Sequence, residues 1–425
     1  MKNQDTLYWV WLAEKCGPAS KDFTKIIEKY QDPFDVYLLD NDEVEQLKEL
    51  SKSTRERLCQ KDLDPSYDVM TYCKQNRVDI ISYGDRRYPE RLKMLQDPPV
   101  VLYCKGHFPE FDARLSIGVV GTRSMSEYGK QSAYRISYDL AASSVLTVSG
   151  MALGIDGVCA CASLMAGGET VAVLGCGIDT VYPKHHEKLF EQICRHGAVI
   201  TEYSPHEKPH GYNFPKRNRI ISGLCQGVLV VEGSEGSGSL ITADLAIGQG
   251  RQVFAVPGKI SDAGAEGPNR LIKEGSYSAT CAADILKHYE FLYGDVCKKR
   301  RSAKKDMSAD AALEALGLHY AVSGAKEEQD EIFLPKKERK TVKKAVAEPV
   351  PEQEMRVEEE SGAVSVDSLD PITRRIFESL PQDRAVSADA VLGEGITASD
   401  AITSLSLLEL YGLISSLPGG LYIRK

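Results

Sequence analysis

Between residues 114 and about 290 the chain alternates short Val/Ile-rich runs with helix-length segments, and few folds accept that rhythm. Ile117–Gly121, Val145–Ser149, Val171–Gly175, Ala198–Thr201, Val228–Glu232 and Val253–Pro257 read as strands. Glu127–Ala142, Ile155–Ala166, Lys184–His196 and Leu240–Gln249 carry helical spacing. Strands that are apolar throughout, rather than at alternate positions, are covered on both faces, and parallel neighbours need a crossover between them. The pattern predicts an α/β fold with a doubly wound, mostly parallel sheet.

The flanks read differently. Residues 1–65 hold short helical segments, Trp9–Lys15, Phe23–Tyr30 and Val44–Leu50, broken at Gly17-Pro18. Arg55 and Arg57 there fit either a phosphate contact or a solvated helix face. Residues 66–110 lead into the core, with a strand over Val78–Ser82 and with Pro89, Pro98 and Pro99 forcing extended or turn geometry. Together 66–290 form the expected core. Residues 297–365 carry the basic blocks Lys298-Lys299-Arg300-Arg301 and Lys336–Lys344 and the acidic block Glu352–Glu360. That composition predicts a flexible charged linker, with a short helix over Ala309–Leu316. Over 366–425, helices Ile372–Leu380, Ala388–Leu392 and Ser399–Tyr411 precede a hairpin of Ile414–Ser416 and Leu421–Ile423, the plan of a winged helix. The third helix holds Asp400 and Glu409 and no Lys or Arg, so the tail reads as a protein-interaction module rather than a groove reader.

Net charge is −9 over 425 residues, so any nucleic-acid binding must come from a local basic patch. Eleven Cys without a CxxC pair suit reduced thiols in a cytoplasm and give no metal site. The first residues lack a basic stretch leading into an apolar run, and apolar runs are strand-length against the ~20 residues of a membrane span. We expect a cytoplasmic protein with no membrane span.

In an open parallel sheet, ligands sit beyond the C-terminal strand ends. That edge is rich in Gly and Ser: Gly121-Thr122-Arg123-Ser124, Ser149-Gly150 through Gly154-Ile155-Asp156, Gly175-Cys176-Gly177 and Gly236-Ser237-Gly238-Ser239. Such turns present free backbone N–H groups to an anion. The sharpest signal is Tyr212-Asn213-Phe214-Pro215-Lys216-Arg217-Asn218-Arg219, three cations and two aromatics in an acidic chain. Cations track phosphates, and an aromatic face stacks on an unpaired base without reading it.

These strings, in this order, resemble the DprA/Smf (DNA-processing protein A) family. So do Tyr88-Pro89, Asp97-Pro98-Pro99, Tyr182-Pro183, Ile220-Ile221-Ser222-Gly223-Leu224, Phe254-Ala255-Val256-Pro257-Gly258 and Asn269-Arg270-Leu271-Ile272. The resemblance implies an extended Rossmann-like fold that binds single-stranded DNA, forms a homodimer through its core and loads RecA onto incoming strands in natural transformation. It also implies accessory domains, a helical (SAM-like) one at 1–65 and the winged helix at 366–425. Carried over by motif, Arg123, Lys216, Arg217, Arg219 and Lys184 would hold phosphates, and Phe214 and Asn218 would meet a base. Gly121, Ser149, Gly150, Ser237 and Gly238 would offer backbone or hydroxyl contacts. One departure is Gly236, beside acidic Glu235, where many members carry a base before Ser-Gly-Ser.

The rival reading is a nucleotide hydrolase like the lysine-decarboxylase-like phosphoribohydrolases, whose loop ends in a Glu. Here that Glu would fall on Thr242, which cannot serve as a base. The first turn is not Gly-x-Gly-x-x-Gly and no Walker loop appears, so a non-enzyme without cofactor or catalytic residues is expected.

Overall fold

The computed structural model describes residues 3–298, 307–320, 371–381, 386–387, 404–405, 408, 413–417 and 421–424. By its contacts the chain falls into two units, Met1–Glu338 and Arg339–Lys425.

The first unit is organised by a nine-stranded sheet. Its strands are β1 (Asp79–Ser82), β2 (Val101–Gly106), β3 (Ser116–Val120), β4 (Leu146–Ser149), β5 (Thr170–Val173), β6 (Ala198–Thr201), β7 (Gly227–Val230), β8 (Gln252–Ala255) and β9 (Tyr277–Ser278). They lie in the order β1-β2-β6-β5-β4-β3-β7-β8-β9. From β6 to β9 every neighbouring pair is parallel, while β2 runs antiparallel to β6 and β1 to β2. The antiparallel edge comes from the Pro-rich lead-in.

Every residue of β3 to β7 is buried, which is why these runs are apolar without alternation. Successive residues still point to opposite faces. Ile117 and Val119 join one apolar layer and Val120 the other; Ala172 and Leu174 likewise part from Val171 and Val173. Buried hydroxyls inside one layer satisfy each other: Thr147 bonds Ser163 at 2.7 Å and Thr170 at 2.9 Å.

Six helices from Asn3–Cys16 to Asp64–Gln75 precede the sheet and enclose Trp9, Trp11 and Phe23. Arg55 donates to the Leu50 carbonyl at 2.6 Å and Arg57 to that of Cys16, the end of the first helix, at 3.3 Å, so both are engaged with backbone carbonyls within this region. The expected linker also contains ordered structure. Helix Ala309–Ala315, capped by Ser308, buries Ala309, Ala312 and Leu313 and packs against helices Glu127–Ala142 and Ile155–Met165.

In the second unit, helix Pro371–Ser379 accompanies an antiparallel sheet ordered Val386–Ser387, Leu421–Arg424, Ile414–Leu417. Ile376, Phe377, Leu380, Leu405, Leu408 and Ile414 form its core. The expected hairpin is there. The helices expected over 388–392 and 399–411 lie outside the described residues, apart from 404–405 and 408. Among the described residues no helix is long and apolar enough to cross a membrane.

Candidate nucleic-acid interface

Connections from β3 add β4, β5 and β6 on one side and β7, β8 and β9 on the other, so the topological switch lies between β3 and β7. In an open parallel sheet this is where a ligand crevice is expected, beyond the C-terminal strand ends. Helix Asn213–Leu224 carries the basic cluster and runs from the β6 side toward β7.

The four polar side chains from Lys216 to Arg219 divide sharply. Arg217, 4% exposed, donates Nη1 to the Gly150 carbonyl at 2.8 Å and to the Val173 carbonyl, plugging the ends of β4 and β5. Asp156 lies beside it and accepts from the backbone N–H groups of Gly150 at 3.0 Å and Ala152 at 3.4 Å. Burial raises the Asp156 carboxyl, opposed by Arg217, and burial lowers Arg217, opposed by Asp156. Both shifts are those of a pair held out of water. A β-carbon on Gly150 would sit 2.5 Å from the guanidinium, so glycine is required there. Arg219, also 4% exposed, pairs with Glu202 at 2.6 Å and Asp97 at 3.2 Å. The sequence places Arg217 and Arg219 on phosphates; the structure turns both inward. Each partner is distant in sequence, and a helix only twelve residues long must present opposite faces to core and solvent.

The outward face is another matter. Phe214 is half-buried, with Arg123 5.7 Å from its centroid, Tyr182 5.3 Å away and Gly175 beneath it. A β-carbon on Gly175 would come within 2.9 Å of the ring. Arg123 and Lys216 are exposed, and the Lys216 ammonium stands 5.6 Å from the Tyr212 centroid. Asn218 donates to the Gly238 carbonyl at 3.3 Å, tying the helix to the turn after β7. There Ser237 caps helix Gly238–Gly248 by accepting from Ser239 N–H, and Gly236 and Gly238 have nothing near the place of a β-carbon. Glu235 is exposed and lies 3.9 Å from Arg270, a cation on that side of the turn. Lys184 is exposed on the short turn that follows Tyr182-Pro183.

The predicted set therefore separates into a rim and a foundation. Arg123, Phe214, Asn218, Ser237 and Gly238 lie along the rim, while Lys216, exposed two residues on from Phe214, lines a neighbouring hollow with Glu202, Tyr203 and Tyr212. Ser149 and Gly150 lie buried, the Ser149 hydroxyl beside Asp156, and Gly121 leaves room for Ile155, whose Cγ1 would be 2.5 Å from a β-carbon. Asp156, at the start of its helix, holds the turn before it. Glu232 escaped the sequence reading. Its carboxylate accepts from Ser126 N–H at 2.9 Å and from the Ser126 hydroxyl, and its backbone carbonyl accepts from Thr122 N–H at 2.8 Å, anchoring the Arg123 turn. Gly129, which would otherwise clash with Glu232, was the available signal. Thr242 is buried with its hydroxyl 3.5 Å from the Gly238 carbonyl, unlike a hydrolytic base. Among the described residues no His/Cys/Asp/Glu group could hold a metal.

Sheet order, switch point and rim define a Rossmann-like protein whose crevice carries exposed cations around an accessible aromatic ring. Residues 79–290 match the family model of DNA recombination-mediator protein A. DNA processing protein DprA of Bacillus subtilis is 41% identical over 219 residues, 52% of this chain and 74% of that protein. Protein Smf of Escherichia coli is 33% identical over 356 residues, 84% of this chain and 79% of that protein. The X-ray structure of DprA from Streptococcus pneumoniae superposes with a TM-score of 0.58 at 35% identity, covering 66% of this chain and 97% of that one. The chain belongs to the DprA/Smf family.

Proposed function

We propose that this protein captures single-stranded DNA without regard to sequence, along the crevice between β3 and β7, and hands it to RecA in DNA uptake and recombination. The observation that carries the reading is the half-buried Phe214 ring with the exposed Arg123 guanidinium 5.7 Å from its centroid and exposed Lys216 two residues further along the same helix. An unpaired base can stack on it, and a duplex cannot offer that face; such stacking contributes about 1–3 kcal/mol per base. Arg123, Lys216 and Lys184 meet phosphates, while Ser237, Gly238 and Asn218 supply polar contacts at the other wall. Arg217 and Arg219 act beneath the strand by holding the helix in place. The relatives' names, DNA processing protein and recombination mediator, support DNA as the substrate.

The protein works by binding, without catalysis or cofactor, as a cytoplasmic homodimer joined through the sheet domain. The winged-helix tail serves protein contacts. Titration of labelled oligo-dT and a matched duplex across salt concentrations tests the core of this reading. The single strand should bind tighter, with log Kd rising about 0.7 per phosphate contact for each tenfold rise in salt. Equal, salt-insensitive binding would refute it. A RecA filament-assembly assay on protein-coated strands tests the loading step: added protein should shorten the lag.

A further inference from the structure

The turn that seats Arg217 is itself held from outside the sheet domain. Met151 occupies the left-handed region, φ +53°, a conformation a non-glycine residue keeps only when its surroundings enforce it. Its carbonyl lies 3.1 Å from Nδ1 of His186, which is fully buried. A carbonyl only accepts, so Nδ1 carries the proton and Nε2 is left as an acceptor. The Tyr320 hydroxyl donates to Nε2 at 2.8 Å. Burial pushes the imidazole down to about 4, in keeping with this neutral ring.

Tyr320 belongs to 307–320, inside the stretch whose composition suggests a linker. The segment is fastened at its other end too, where Asp310 pairs with Lys130 at 2.6 Å. Leu316 and Leu318 are buried between these anchors. Room for the hydroxyl exists only because residue 157 is glycine: a β-carbon there would lie 1.9 Å from the Tyr320 oxygen.

We propose that residues 307–320 are a working part of the DNA-binding site, with Tyr320 and His186 as positioning residues that hold the turn 149–156 in its binding form. From Met151 the chain of contacts continues through Gly150 to Asp156 and Arg217, hence to the helix that presents Phe214 and Lys216. The segment touches no predicted DNA contact; it raises the fraction of molecules whose rim is assembled. As that fraction falls, the apparent Kd rises in inverse proportion to it. The proposal rests on the single-strand reading above and explains why a stretch beyond the sheet would matter to it.

The test uses the full-length protein with Tyr320→Phe, His186→Asn and the double variant, read by oligo-dT anisotropy and by hydrogen exchange of the 150–154 amides. Tyr320→Phe removes one hydroxyl and should raise Kd measurably, by up to about tenfold, the ceiling set by loss of one buried hydrogen bond. Its salt slope should stay at the wild-type value, since no phosphate contact is lost, and the 150–154 amides should exchange faster. Asn at 186 keeps a donor for the Met151 carbonyl but loses the acceptor of the Tyr320 hydroxyl, so His186→Asn should weaken binding about as much as Tyr320→Phe, and adding Tyr320→Phe to it should cost nothing more. Tyr320→Phe with Kd within twofold of wild type and unchanged exchange would overturn the proposal. If wild type binds no oligo-dT, the single-strand reading fails on its own, and exchange still decides whether the relay holds the turn.

Discussion

In the turn after β4, a β-carbon on Gly150 would press on the Arg217 guanidinium at 2.5 Å, and one on Gly154 would meet the Thr122 carbonyl at 2.4 Å. In the turn after β7, a β-carbon on Gly236 or Gly238 would meet nothing within 4 Å. Both turns read as Gly/Ser-rich strand ends of the kind that receive anions. One has spent its glycines on packing protein against protein, around a buried Asp156–Arg217 pair. The other leaves its surface open beside a capped helix start. A glycine-rich turn thus marks close approach, and only the surroundings say whether the approaching group is the protein or its ligand.

The comparison is broken most forcefully at Gly154. With φ +77° and backbone oxygens where a side chain would go, Gly154→Ala should cost at least about 3 kcal/mol, seen as a large fall in Tm. An unchanged Tm would mean the first turn is as free as the second.

Acid should separate the turns next. His186 titrates at about 4 in the folded protein against an ordinary 6.5, so the unfolded chain takes up protons first as pH falls. The stability this residue contributes is complete above pH 6.5 and disappears as pH drops toward 4, a loss approaching about 3 kcal/mol. Amide exchange should quicken across that window at 150–154 more than at 234–238.

In the open turn, Gly236→Ala should cost about 1–2 kcal/mol, because φ there is +79°. Gly238→Ala, with ordinary φ and free space, should change stability by no more than about 0.5 kcal/mol. A weaker grip on oligo-dT by a normally folded Gly238→Ala would place DNA against that turn.

The same contrast explains what the sequence reveals. Buried parallel strands must be apolar runs, so β3 to β8 sit within a residue or two of where the pattern puts them, and the crevice follows from the topology. The facing of Arg217 and Arg219 does not follow. Their partners Asp156, Glu202 and Asp97 approach only after the sheet closes. Local composition marks all three cations alike, and tertiary packing leaves only Lys216 in solvent. Residues 307–320 divide in the same way: the short helix over Ala309–Leu316 is legible in the sequence, but its docking onto helices Glu127–Ala142 and Ile155–Met165, among charged blocks, is not.

The most direct test of the central claim sets the rim against its foundation. Arg123→Glu/Lys216→Glu reverses two exposed charges whose contacts within the fold are to the Phe214 and Tyr212 rings, so Tm should stay near wild type while oligo-dT affinity falls roughly tenfold or more at moderate salt. A folded double variant that binds oligo-dT as tightly as wild type would contradict the account and move the DNA site away from the crevice.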